Sequence, residues 1–375
     1  LLGYTLTVMG PLGKVAIGIS IGLVMITGGI VIERRERFAI FGRGLIAGGW
    51  AALYFTTYAM YSLPAARIIE SPLLAGVLLL TVATGLIGHS LRYRSQSLTL
   101  LAFATAFLAL LLSPPTLLTI IASVPLTIAL LVISRELGWT LVPVAGMLLA
   151  YLSFAFQYDA DIFGTLAGAG ALYTYWICFE TYDLLRLRSG AIRGYVDGAI
   201  FPLNIVLLFG VAMLTLPSST PEAASNFLFS LGFLMLVSTA LRMRWHVEPD
   251  PSDPEQRILA WSYRIGAAIT SALFAGSVLQ RFDGYRAEIG LMLEAQLFVF
   301  AGIRLGDRFF ARVGHTVFAL AVSHVATINL HEGQRDWGVM TVCMAAQAYL
   351  NRWLTKADPL LTYAATALLA SGAAT

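Results

Sequence analysis

One unit recurs about thirteen times along the 375 residues: roughly twenty apolar residues, then a short gap of charged or turn-forming ones. A hydrocarbon layer of about 30 Å is crossed by about 20 consecutive apolar residues in helical conformation. The rhythm therefore predicts an all-α fold, a polytopic transmembrane helical bundle. Composition agrees, since 58% hydrophobic residues, 12% charged residues and a mean hydropathy of +0.78 leave more apolar surface than a soluble domain can hide. The net charge of +3 comes from Arg residues placed singly or in threes at run ends. No long basic stripe is present, so nucleic acid is not an expected partner.

The pattern places helices at 11–33, 44–63, 73–90, 97–113, 116–134, 139–157, 164–185, 198–216, 223–242, 258–280, 287–303, 313–330 and 338–354. Apolar fragments at 1–10 and 359–375 extend these thirteen full helices to as many as fifteen, the outer two being partial. Both ends read as truncated, because the first residue is Leu1 and the last apolar run stops at Thr375. The longest gap carries Glu248-Pro249-Asp250-Pro251-Ser252-Asp253-Pro254, and no gap is long enough for a folded extramembrane domain. Residues 1–375 are thus expected to form a single transmembrane domain.

Basic residues sort into alternate gaps. Eighteen of the 24 Lys and Arg, including Arg34, Arg35, Arg37, Arg186, Arg188, Arg304 and Arg308, fall on one side, while Lys14, Arg67, Arg281, Arg286 and Arg335 fall on the other. Arg264 lies inside a run. Basic loops stay cytoplasmic, so the eighteen mark the cytoplasmic side.

Within the runs, Gly18/Gly22, Gly44/Gly48, Gly164/Gly168 and Gly302/Gly306 each place two glycines one turn apart, where helix backbones can approach closely. Pro125, Pro143 and Pro202 are expected to bend or interrupt their helices. Cys178 and Cys343 lie far apart in apolar runs and read as small buried residues rather than a disulfide. The five His residues have no ligand spacing, so no metal is expected, and no nucleotide or dinucleotide motif calls for a cofactor.

The stretch from Glu33 to Tyr61 carries a basic loop, then Gly48, Gly49, Leu53, Tyr54 and Tyr58. A second stretch, Glu294 to Gly314, carries Glu294, Gly302, Arg304, Arg308 and Gly314. Together they resemble an uncharacterised bacterial multi-pass membrane family, domain of unknown function 2339. The Arg312-Val313-Gly314 spacing is tighter than the family phrase, and its tryptophan before the acidic residue is absent. The resemblance implies a multi-pass protein of the bacterial inner (cytoplasmic) membrane and supplies no catalytic residues.

Ionisable residues at bilayer depth are the best functional pointers, because each costs roughly 2.5–3.5 kcal/mol on insertion scales unless paired or hydrated. Glu294 lies mid-run, and Arg264 and His324 in the flanking runs fall at bracketing depths. The expectation is a buried polar cluster of Arg264, Glu294 and His324, with Gln296 and His315 as outer members. It can serve as a proton or ion relay, or as a static clasp in which Arg264 neutralises Glu294. A second constellation comprises Tyr173, Tyr175, Trp176, Phe179, Glu180, Tyr182, Asp183 and Arg186 at the cytoplasmic end of one helix. It reads either as an aromatic-acidic pocket or as an interfacial anchor with a local ion pair among Glu180, Asp183 and Arg186.

Two classes of function stay open. Transport, or the handling of lipids or other envelope components, is favoured by the midplane ionisable residues and bent runs. A non-catalytic accessory subunit of a larger membrane complex is favoured by the short gaps and glycine-paired faces. A membrane-embedded transferase rests only on Asp159-x-Asp161. Membrane lipids are the expected partners, with protein subunits in the second reading.

Overall fold

The computed structural model describes residues 9–92, 94, 96–112, 117–191, 194–215, 220–245, 254–332 and 337–355. Residues 1–8 of the apolar fragment expected at 1–10, the fragment expected at 359–375, the Ser113-Pro114-Pro115 gap and most of the gap at 248–254 lie outside them.

Among the described residues the chain forms only helices. They are α1 (Pro11–Glu33), α2 (Ala39–Ser62), α3 (Pro72–Leu91), α4 (Gln96–Leu112), α5 (Leu117–Leu137), α6 (Leu141–Gln157), α7 (Ala160–Arg188), a five-residue α8 (Gly194–Gly198), α9 (Ile200–Thr215), α10 (Pro221–Arg244), α11 (Pro254–Arg281), α12 (Tyr285–Leu305), α13 (Arg308–Glu332) and α14 (Trp337–Thr355), with a 3-10 turn at Glu36–Phe38. All thirteen helices expected from the apolar runs are present. Four helical stretches among the described residues are long and apolar enough by length and composition to cross a membrane: Pro11–Glu33, Pro72–Leu91, Val196–Thr215 and Pro221–Arg244. Several of the others carry polar side chains along one face, most of all α11 to α14.

Helix ends follow local chemistry. Pro occupies the first turn of α1, α3 and α10, where its missing N–H has no intrahelical acceptor to lose. Ser71 Oγ accepts from Leu74 N at 3.4 Å, and Thr220 Oγ1 accepts from Ala223 N at 3.1 Å. The same logic corrects the expected kinks. Pro143 and Pro202 are the third residues of α6 and α9, in the first turn, where proline is tolerated. Only Pro125 is internal. The break falls instead at Gly164 in α7, with φ 72° and ψ 155°, a backbone conformation that side-chain-bearing residues rarely adopt.

The helices divide into two compact units, Leu1–Asp183 with Ala199–Pro217, and Leu184–Gly198 with Ser218–Thr375. In the first unit α1 and α2 form the closest pair, followed by the α3/α4, α4/α6, α2/α3, α5/α6 and α6/α9 contacts. In the second, α10/α11 and α12/α13 are hairpins, and α14 packs on α12 and α13.

Glycine sets these approaches. A Cβ added at Gly29 would lie 2.7 Å from Gly42 O, and one at Gly42 2.8 Å from Gly29 O. Seven residues along, a Cβ at Gly49 would lie 2.7 Å from Gly22 O, and one at Gly22 3.0 Å from Gly49 O. In the second unit a Cβ at Gly302 would meet Ala311 N at 2.6 Å, and one at Gly314 would meet Ala295 O at 2.6 Å. Of the expected glycines, Gly18, Gly22, Gly48, Gly168 and Gly302 pack closely, whereas Gly44 and Gly306 have open space around them and Gly164 breaks its helix. The α10/α11 hairpin uses serine, with Ser225 Oγ donating to Ser277 O at 2.9 Å and Ser277 Oγ to Ser225 O at 3.0 Å.

Replacing Gly29 or Gly49 by Leu forces α1 and α2 apart and is expected to cost about 1–3 kcal/mol, the range for overpacking. Gly44→Ala is expected to be neutral or slightly stabilising. Thermal unfolding of the detergent-solubilised protein checks both, and equal melting temperatures for Gly29→Leu and Gly44→Ala would exclude the close approach.

Candidate functional site: two polar interiors

The second unit carries ionisable groups at three levels along α12. At its start, Glu288 is 3% exposed, and its Oε1 lies 3.0 Å from Nδ1 of His324 on α13. Six residues on, about 9 Å along the axis, Glu294 is buried and its Oε1 accepts from Oγ of Ser271 on α11 at 2.7 Å. Glu288 and Glu294 therefore face different neighbours from one helix, as a six-residue separation at 3.6 per turn requires. Among the described residues, the second oxygen of each carboxylate is buried without a hydrogen-bond partner.

The third level lies past the end of α12. Asp307 accepts from Tyr263 Oη at 2.7 Å and Arg264 Nε at 3.3 Å through Oδ2, and from Phe309 N at 2.9 Å through Oδ1. The Arg264 guanidinium also lies over the rings of Trp261 (5.4 Å), Tyr263 (5.5 Å) and Phe309 (5.9 Å). Burial pushes the Asp307 carboxyl up. The Tyr263 and Phe309 hydrogen bonds and the Arg264 charge outweigh it and hold the carboxyl below its ordinary range.

The expected triad is thus redistributed. Arg264 pairs with Asp307 and not with Glu294, because the α12/α13 turn brings an acidic residue to its level. His324 meets Glu288, and Glu294 meets Ser271. Gln296 Oε1 and His315 Nε2 are buried without partners among the described residues, and neither is hydrogen-bonded to Glu294. Glu288 was missed because the apolar run places it at a helix edge. Its signal is the stripe Glu288, Leu291, Ala295, Val299 and Gly302, spaced three to four residues apart and all buried. A groove of about 750 Å³ between α12 and α14 is lined by Gln296 and Gln347 and does not include Glu294. Cys343 lines it and is exposed, whereas Cys178 is half-buried, which corrects the expectation of two buried cysteines.

The aromatic constellation of α7 is also interior. Tyr175, Trp176, Phe179, Glu180, Tyr182 and Asp183 are buried, and Tyr173 is half-buried. Residues 172, 175, 179, 182 and 186 form one stripe at helical spacing, which turns them inward. Within the first unit, Tyr151 Oη donates to Asn204 Oδ1 at 2.8 Å, Asn204 Nδ2 donates to Trp176 O at 3.0 Å, and Tyr175 bonds Ser123. Arg186, in the second unit, grips Asp197 of α8 through two bonds of 2.7 Å and donates to Ala191 O at 3.0 Å. Sequence spacing alone pointed it at Glu180 and Asp183. The side chain of Asp161 lies outside what is described.

Among the described residues, thirteen long helices, with four helical stretches long and apolar enough to cross a membrane, make an all-α bundle of the membrane-protein class. The chain belongs to the family described as "Predicted membrane protein (DUF2339)", which matches residues 2–375. It has no match among curated proteins or among solved structures.

Because its carboxyl is held below the ordinary value, Asp307 stabilises the folded state above about pH 4, and that contribution is lost as pH falls through the depressed value. The melting-temperature difference between the wild type and Asp307→Asn is expected to be constant near neutrality and to shrink on acidification. A difference that grows on acidification would contradict the Arg264–Tyr263–Asp307 assignment.

Proposed function

We propose that this is a multi-pass protein of the bacterial inner membrane, with its basic gaps cytoplasmic, in which the second unit couples proton movement to transport of a small solute or an envelope lipid component. The observation that carries this reading is the pair of buried carboxylates on α12, Glu288 beside His324 and Glu294 beside Ser271, each with one oxygen that has no hydrogen-bond partner among the described residues. A purely structural helix has little reason to retain a carboxylate at the depth of Glu294, where one costs about 2.5–3.5 kcal/mol. A carboxylate next to an imidazole passes a proton by a small rearrangement, and the partner-free oxygens are where a proton or hydrated cation binds.

A static accessory subunit of a larger membrane complex is the second reading. The glycine-locked hairpins and the saturated Ser225/Ser277 exchange favour it.

Full-length protein in proteoliposomes containing a pH-sensitive dye, under an imposed potential, separates the two. The wild type is expected to carry proton flux above empty vesicles, and Glu294→Gln to lower it at least tenfold while keeping the wild-type melting temperature within a few degrees. Flux indistinguishable from empty vesicles, or unchanged in Glu294→Gln, removes the proton-handling reading.

A further inference from the structure

The groove between α12 and α14 is a site of different character from the buried carboxylates, and its chemistry concerns the surrounding bilayer. Its walls include Tyr285 and Ile289 on α12 and Val339, Cys343, Ala346 and Leu350 on α14. The two helices run the same way, with Gln347 Nε2 donating to Met292 O at 2.9 Å across the floor. The wall is open toward the unit's outside, since Leu293 and Val339 on its rims are 62% and 66% exposed. In a membrane helix pair, that outside is hydrocarbon.

Length and charge then fix the occupant. The lining extends over eleven residue steps on each helix, Tyr285 to Gln296 and Val339 to Leu350. That is about 16 Å at 1.5 Å per residue, close to the half-thickness of a hydrocarbon core of about 30 Å. The groove therefore spans one leaflet. At its Tyr285 end sits Arg286, exposed, with its guanidinium 6.0 Å from the Tyr285 ring centroid and no ion-pair partner among the described residues. Arg281, at the end of α11, is by contrast already paired with Glu222. An unneutralised cation beside an amphipathic ring at the mouth of a leaflet-long apolar groove is complementary to a phosphate carrying an acyl chain.

We infer that the α12/α14 groove holds one phospholipid, an acyl chain lying along Ile289, Cys343 and Ala346 and the phosphate at Arg286. The chain fills the gap in the apolar wall that α12 and α14 leave open, and the phosphate replaces water on the guanidinium. This site is independent of proton handling, so either reading can fail without the other.

Cys343 makes the test direct, because a bound chain covers its thiol. The full-length protein, with Cys178→Ser to leave one cysteine, is delipidated in detergent, and Cys343 alkylation is followed by mass spectrometry. Phosphatidylglycerol added in mixed micelles is expected to slow alkylation saturably, at least fivefold, whereas inorganic phosphate leaves the rate unchanged. Arg286→Ala is expected to weaken the protecting lipid about fivefold, the loss of one charge-assisted contact to the phosphate. Native mass spectrometry of the mildly solubilised protein is expected to show one retained phospholipid that Ala346→Trp, which fills the groove, removes. Alkylation indifferent to phospholipid, protection by phosphate alone, or an unchanged lipid count in a folded Ala346→Trp variant would each overturn the site. Should Ala346→Trp not fold, the alkylation arm decides alone.

Discussion

Between helices in hydrocarbon the hydrophobic effect supplies no attraction, because lipid tails are as apolar as leucine. Everything that holds this chain in one arrangement must come from close packing or polar contact. Gly22, Gly29, Gly42 and Gly49 provide the first, bringing the α1 and α2 backbones to where no Cβ fits. Gly302 and Gly314 repeat the device in the α12/α13 hairpin. The seven-residue spacing of Gly22/Gly29 and Gly42/Gly49 explains why the contact recurs two turns along: residues seven apart stay on one side of a helix as two helices wind together.

Polar contact provides the rest, and its distribution differs between the units. In the first, Tyr151, Asn204, Trp176, Tyr175 and Ser123 form neutral bonds in an aromatic interior that also buries Glu180 and Asp183. Neutral bonds of this kind give register without adding a charge to a dry environment. In the second, α11, α12 and α13 bury Glu288 and Glu294, each hydrogen-bonded through one oxygen to a neighbouring helix. Its lower end is different again, since Asp307 is fully engaged by Tyr263, Arg264 and Phe309 and acts as a strut tying the α12/α13 turn to α11.

Helix positions were legible in the sequence because twenty-residue apolar runs have few alternatives, and every expected helix is present. Depth along a helix was legible too, since Glu294 is mid-helix and buried as read. Rotation about the axis was not. The four-residue glycine pairs nominated Gly44 and Gly48, whereas Gly42 and Gly49 make the backbone contact. Glu288 looked like an edge residue until its stripe with Leu291, Ala295 and Val299 placed it against His324. Arg186 looked toward Glu180 and Asp183, while its bidentate partner Asp197 comes from the next short helix, which an apolar-run reading does not resolve. Partner identity in a bundle depends on which faces meet, and a single helix's spacing carries only half of that information.

The central claim is that Glu294, buried mid-helix in α12, takes part in moving protons through the second unit. Infrared difference spectroscopy of the full-length protein in lipid, recorded as an imposed proton gradient is switched on and off, reads this directly. The account predicts a carboxylic C=O band that changes reversibly with the gradient and is lost in Glu294→Gln. A carboxyl region unaffected by the gradient, or a changing band that persists unaltered in Glu294→Gln, would contradict it.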